Sequence, residues 1–505
     1  MTESAARKQI QMTHRPIVLA AVMLGMFMAA VESTIVSTAM PTIVGDLGGF
    51  QWMSWVFSGF MLAQAITTPI FGKLSDLFGR KAVYTVGVAL FLSGSLLSGL
   101  SPTMGWLIVF RLLQGLGAGS VMPIATTIVG DIYTAEERAR IQGWLSSVWG
   151  ISAVTGPIIG AFIVEHWHWA WIFWINVPVG VLSVALVIAF LHEPEVRAKP
   201  AIDFAGALTL FASIAGWMSV LLFSGTFWPW FGGAMWALTA LALTATVLFF
   251  FVERRAVEPV MPLELWENRL IAVANGATFV TGMIMIALSM FLPSYIQGVL
   301  GDGPQVAGLA LSAMSVGWPI ASFLSGRLLI VFGPRKLAIL GSGFLLLGGL
   351  LFALIRPAYG PVYAGAASFF IGMGMGFTNT AYIVSIQNSV PWRLRGAATS
   401  NNLFMRLFGG TFGGAVLGAL LNAVVYRRLL AAGDDPAAAR AHMDDLNALL
   451  RGTGQGMGLK TDVAGLVQAL AGGMQAVFIA VFLLTLTNAL VVWFLPATVK
   501  LQDRA

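Results

Sequence analysis

Three ionisable side chains stand alone in long apolar stretches: Glu32 in AVESTIVSTAMP, Arg111 in RLLQGLGAGS and Arg406 in NNLFMRLFGG. Glu32 is the only charge between Arg15 and Asp46. A charge at the centre of an apolar helix costs roughly 2.5 to 3.5 kcal/mol on insertion scales, so such residues usually face the interior of a helix bundle and carry function. A carboxylate taken out of water is costly to keep ionised, and a nearby cation offsets that cost. Glu32 can therefore bind and release a proton as an arginine approaches or withdraws, or it can form one half of a fixed ion pair. Five amides, Asn275, Asn379, Gln387, Asn401 and Asn402, lie in later apolar stretches with Arg406. They can line a polar path for a substrate or join helices by hydrogen bonds.

The elements that must hold these groups are membrane helices. Of 505 residues, 58% are hydrophobic and 10% charged, against roughly 25% charged in soluble proteins. Runs of about 20 apolar residues, each long enough to cross some 30 Å of hydrocarbon, recur from Ile17 to beyond Met474. We count fourteen of them, and an even number puts both termini on one side. The first run is read as a retained span, because it lacks a small-residue cleavage site. A net charge of +6 raises the possibility of nucleic acid, but the basic residues sit in short clusters between apolar runs, as membrane topology requires. With no cysteine there is no disulfide, no thiolate nucleophile and no cysteine metal site. No span pairs a nucleophile with a base and no HExxH cluster occurs, so neither an enzyme nor a metal centre is expected. His166 and His168, within HWHWAWIFW, suit an interfacial aromatic belt.

Placing the termini in the cytoplasm puts 20 of the 28 lysines and arginines inside, which fixes the orientation by the positive-inside rule. Five of the rest fall in one long outer loop, about 426–473, and long loops escape that rule. Within this loop Asp435 and Pro436 suit the start of a short amphipathic helix, and its clustered aspartates read as a solvated face.

The chain also repeats itself. GKLSDLFGRK at 72–81 aligns with GRLLIVFGPRK at 326–336, setting Gly72 over Gly326, Phe78 over Phe332 and Gly79 over Gly333. Gly143, Gly156 and Gly160 fall on Gly396, Gly409 and Gly413 at nearly the same offset. Two six-span halves are implied, residues 1–195 and 266–505, with two inserted central spans in 196–265. Parallel halves with a site at their interface are a common plan of secondary transporters.

In this setting GKLSDLFGRK, with Gly72, Asp76, Gly79, Arg80 and Lys81, resembles the signature loop of the major facilitator superfamily. The resemblance runs on through Arg111, Gln114, Gly115, Gly117 and Ala118, and through GPIIGA with Gly156, Pro157 and Gly160, the mark of its exporters. VESTIVSTAMP and FWINVPVG are similar to segments of its fourteen-helix drug:proton antiporters. The chain departs from that pattern at Glu32, where aspartate is usual, at Ser37 for asparagine, at Ala161 for glycine, and at Ile330 where the first half has Asp76.

The resemblance implies an all-helical polytopic fold of 6 + 2 + 6 spans, an ion pair between Arg80 and Asp131, and Asp76 capping a helix start in the second half. It also implies a role in proton coupling for Glu32 and Arg111. Pro157 and its glycines allow span 5 to bend and slide against a neighbour in the other half, or serve helix packing alone. The expected function is proton-coupled export of amphipathic small molecules or drugs; the alternative is an exporter dedicated to one metabolite or lipid. The expected setting is the cytoplasmic membrane, with a monomer drawing on the proton gradient and needing no cofactor. Asn275, Asn379, Gln387, Asn402 and Arg406 are the candidates for the substrate path.

Overall fold

The computed structural model describes residues 13–48, 52–193, 203–223, 232–256, 259–432 and 463–496. Every regular element among them is helical, as hydrocarbon requires, since a helix satisfies its backbone polar groups internally. In chain order they are α1 (Arg15–Leu47), α2 (Met53–Phe78), α3 (Arg80–Gly99), α4 (Met104–Ile132), α5 (Ala135–His166), the single turn α6 (Trp171–Trp174), and α7 (Asn176–Phe190). The central pair is α8 (Phe204–Phe223) and α9 (Gly233–Glu253). After the single turn α10 (Glu264–Glu267) come α11 (Arg269–Gly298), α12 (Pro304–Ala353), α13 (Gly360–Ser389), α14 (Arg395–Ala431) and α15 (Val463–Trp493).

Eleven helices among the described residues are long and apolar enough to cross a membrane. α5 opens on the charged run AEERAR. There Thr134 and Glu137 form a capping box, each side chain accepting from the other's backbone N–H at 2.7 and 3.2 Å. α8 carries the apolar stretch Ala205–Val220.

The internal repeat is present in the backbone. Gly79, at φ 90°, turns the chain between α2 and α3, and its counterpart Gly333, at φ 73°, breaks α12 into arms 304–332 and 334–353. Both occupy the left-handed region that glycine enters freely. Gly48 and Gly301, each a short way beyond the first helix of its half, share the same sign of φ; the sequence comparison missed this third correspondence.

The first half buries apolar side chains such as Val22, Val88 and Ile124 in one cluster and Ile35 and Phe173 in another; the second half does so around Leu288 and Phe478, and around Ile271 and Tyr382. The halves meet along α5 against α12 and α2 against α14. The central pair is docked at that junction, with Leu210, Ile214 and Phe249 packed on Ala65 and Ile66 of α2 and Phe404 of α14. Many large apolar side chains, among them Leu208, Val247 and Leu309, face outward, as in a protein solvated by lipid. The long outer loop is shorter at both ends than the sequence reading has it, because α14 continues to Ala431 and α15 begins at Val463; Asp435 and Pro436 lie outside the described residues.

Candidate functional site

Glu32 sits near the middle of α1 and is fully buried. Its Oε1 is ion-paired with Nη1 of Arg111 from α4, and its Oε2 accepts from Asn176 Nδ2 at 2.5 Å. Asn176 opens α7 and also donates to Ser95 Oγ of α3 at 3.0 Å. Arg111, 1% exposed, further donates to Gln114 Oε1 at 2.7 Å and to the Val56 carbonyl at 3.3 Å, and its guanidinium lies 4.2 Å from the Phe60 ring centroid. Five helices thus converge on one carboxylate whose charge is balanced by one guanidinium. A buried pair of this kind needs its remaining donors satisfied; removing one partner typically costs 3 to 5 kcal/mol through the stranded charge. Asn176 was not singled out from the sequence, although a lone amide in the apolar run FWINVPVG was the available signal.

Gly156 and Gly160 face α1 of their own half. A side chain at Gly156 would strike Thr34 Oγ1, and one at Gly160 would meet Ile35 at 3.0 Å. This corrects the expectation that the motif slides against the other half. The contact of α5 with the other half lies nearer its start, where Gly143 meets Phe323 and Gly150 meets the Ser315 carbonyl. Pro157 falls within α5; its side chain lies outside the described residues.

At the end of the bundle holding residues 72–81 the halves are bound together. Asp76 Oδ1 and Oδ2 accept from the backbone N–H groups of Gly396 and Ala397 at 2.9 and 2.8 Å, at the exposed-amide end of α14 where a negative charge is favoured. Arg80 pairs with Asp76 at 2.8 Å and with Asp131 at 3.1 Å, donates to the Trp392 carbonyl at 2.9 Å and stacks 4.2 Å from that indole. Arg395 closes the ring on Asp131 Oδ1 at 3.0 Å. Arg138 of α5 donates to Gln387 at 3.2 Å and to Asn388 at 2.6 Å. Gly72 lies against Ser400 and the Gly396 carbonyl. The backbone N–H groups of Arg80 and Lys81 donate to Glu193 at 2.8 and 3.0 Å; burial raises the pKa of this carboxyl despite those bonds and the Arg80 charge. Arg138, Glu193, Trp392 and Arg395 were not identified as part of this latch from the sequence.

The amides divide. Gln387 donates to the Thr126 carbonyl at 3.1 Å and accepts from Arg138, so it joins the two halves at their seam. Asn402 donates to Asn275 and to Thr278, both at 3.0 Å, tying α14 to α11. Arg406 and Asn379 come together, Nη1 donating to Oδ1 at 3.1 Å, with Trp318 of α12 beside them at 5.7 Å from guanidinium carbon to ring centroid. Asn401 is buried with both amide atoms unpartnered among the described residues.

Two helical halves, latched at one end, enclosing buried charges and presenting an apolar exterior define a multi-pass membrane transporter rather than an enzyme. The chain belongs to the Major Facilitator Superfamily, whose family model matches residues 22–414. It is 37% identical over 394 residues to multidrug resistance protein 3 of Bacillus subtilis strain 168, a match covering 78% of this chain and 77% of that one. It is 34% identical over 404 residues to the multidrug transporter protein MdtP of the same organism, covering 80% and 75%. Among solved structures it resembles the proton:xylose symporter XylE in fold, with a TM-score of 0.60 at 12% identity over 97% of each chain.

Proposed function

We propose that this chain is a proton-coupled exporter of amphipathic small molecules or drugs, working as a monomer by alternating access in the cytoplasmic membrane. Its curated relatives named for multidrug resistance and transport support the efflux reading. We further read fourteen passes in a 6 + 2 + 6 plan with both termini in the cytoplasm, by counting α6 and α7 as one pass, dividing α12 at Gly333 and adding α5 and α8. The clustered lysines and arginines support that orientation. On this reading the latch seals the cytoplasmic end, and the described state faces outward.

The observation that carries the coupling is the burial of Glu32 against Arg111 and Asn176 on a helix that also contacts the glycines of α5. In the outward-facing state a proton from outside neutralises Glu32 and removes its attraction to Arg111, while Gln114 and the Val56 carbonyl continue to hold the guanidinium. α1 is then free to shift on the small surface of Gly156 and Gly160, the latch opens, and the proton leaves to the cytoplasm as substrate enters. One proton moved through 100 mV supplies about 2.3 kcal/mol, roughly a fifty-fold gradient of a neutral substrate.

The test is transport in proteoliposomes under an imposed pH gradient. Glu32→Gln is expected to bind substrate yet fail to move it uphill, since the amide cannot cycle a proton, and Glu32→Asp to retain partial activity. Full pH-driven transport by Glu32→Gln would refute the assignment.

A further inference from the structure

Arg406 has a different setting from Arg111. No carboxylate among the described residues lies within ion-pairing distance of it, whereas the Glu32 and Arg111 charges cancel. Asn379 gives its oxygen to Arg406, which leaves its amide N–H groups as donors, and the Trp318 indole N–H is buried with no acceptor among the described residues. All three side chains are only partly covered by protein. The group therefore combines one positive charge that no carboxylate among the described residues balances with donors from three helices, and its one side-chain acceptor, the Asn379 oxygen, already faces the guanidinium. A ligand completing it must bring acceptor oxygen and negative charge, and the planar guanidinium fork matches a carboxylate better than a point charge does.

We propose that Arg406, Asn379 and Trp318 form the head-group site of the transported substrate, and that this site selects amphiphiles bearing a carboxylate or similar oxyanion over lipophilic cations. The inference rests on the exporter reading above and narrows its substrate class. The Trp318 ring receives the apolar part next to the head group, and a cationic ligand meets an unscreened like charge in its place.

The experiment uses the purified full-length protein in detergent and two fluorescent probes of equal tail length, dansylamino-undecanoic acid and the corresponding dansylated undecyl ammonium ion, titrated at neutral pH against empty micelles. The carboxylate is expected to bind about 10- to 100-fold more tightly, the range of a charge-assisted hydrogen-bonded contact. Arg406→Gln is expected to lose that preference, with carboxylate binding weakened and ammonium binding tightened as the like charge is removed, which also shows that the variant is folded; Arg406→Lys retains part of it. Equal or tighter binding of the ammonium probe by the parent protein, or equal loss of both probes in Arg406→Gln, overturns the proposal. In proteoliposomes, pH-driven export of the ammonium probe without the carboxylate overturns the selectivity and leaves export standing. Selective carboxylate binding with no pH-driven transport of either probe leaves the selectivity and overturns export.

Discussion

Removing the charge of Asp76 is the most direct probe of the latch. In Asp76→Asn one oxygen survives and can still accept from Gly396 N–H, but the new amide nitrogen then faces the Ala397 N–H, donor against donor, where the carboxylate accepts at 2.8 Å. The Arg80 contact at 2.8 Å also loses its charge. Hydrogen bonds to a charged group contribute about 1.5 to 3 kcal/mol each, and a charge at a helix start about 0.3 to 1 kcal/mol. A net loss of about 2 to 4 kcal/mol shifts the balance toward the state open at this end by between about thirty- and several-hundred-fold, at 1.4 kcal/mol per factor of ten. Because the chain has no cysteine, a single Ser146→Cys serves as reporter: Ser146 is buried in the seam between halves, its Oγ 3.0 Å from Ser322 Oγ. Its labelling rate with a membrane-permeant maleimide follows the open population. We expect that rate to rise at least tenfold when Asp76→Asn is added. An unchanged rate in a protein that still binds substrate would refute the latch.

Two further outcomes follow from packing and burial. Gly156→Leu forces atoms into Thr34; overpacking of this kind costs about 1 to 3 kcal/mol, so the thermal midpoint is expected to fall and transport to be lost. Gly45→Ala, with nothing within 4 Å of the added carbon, is the control for a glycine with room beside it and is expected to keep transport and to hold or raise the midpoint, since alanine favours a helix over glycine. Glu193 has a pKa raised by burial, so its contribution to stability is full below the ordinary glutamate range and is lost as pH rises through its higher folded-state value. The thermal midpoint of the parent relative to Glu193→Gln is therefore expected to decline with rising pH across that window; a flat difference would contradict the burial effect.

The sequence made some of these features legible and not others, for physical reasons. A carboxylate alone in an apolar run is conspicuous because hydrocarbon excludes charge, and Gly79 and Gly333 stand out because only glycine enters their backbone conformation freely. What a residue faces is another matter. The small face of Gly156 and Gly160 is visible as a pattern, but the identity of the helix lying on it, α1, depends on packing across more than a hundred residues of chain. Arg138 and Arg395 read as ordinary topology charges, since a short basic loop looks the same whether its arginines face water or bind the other half. Gln387 and Asn379 are both amides in α13; one is in the seam and one is beside Arg406, a distinction set by their depth along the helix and by the neighbours there.

Among the described residues, the partners that hold Glu32 and Arg111, from Val56 to Asn176, belong to the first half, and those beside Arg406, Trp318 and Asn379, belong to the second. On the reading proposed above, two stretches of chain that still share turns and glycines divide the labour between energy and recognition. Under that division, inherited changes around Arg406 alter what is carried while the proton chemistry stays as it was, so that a lineage acquires new cargoes without rebuilding its motor.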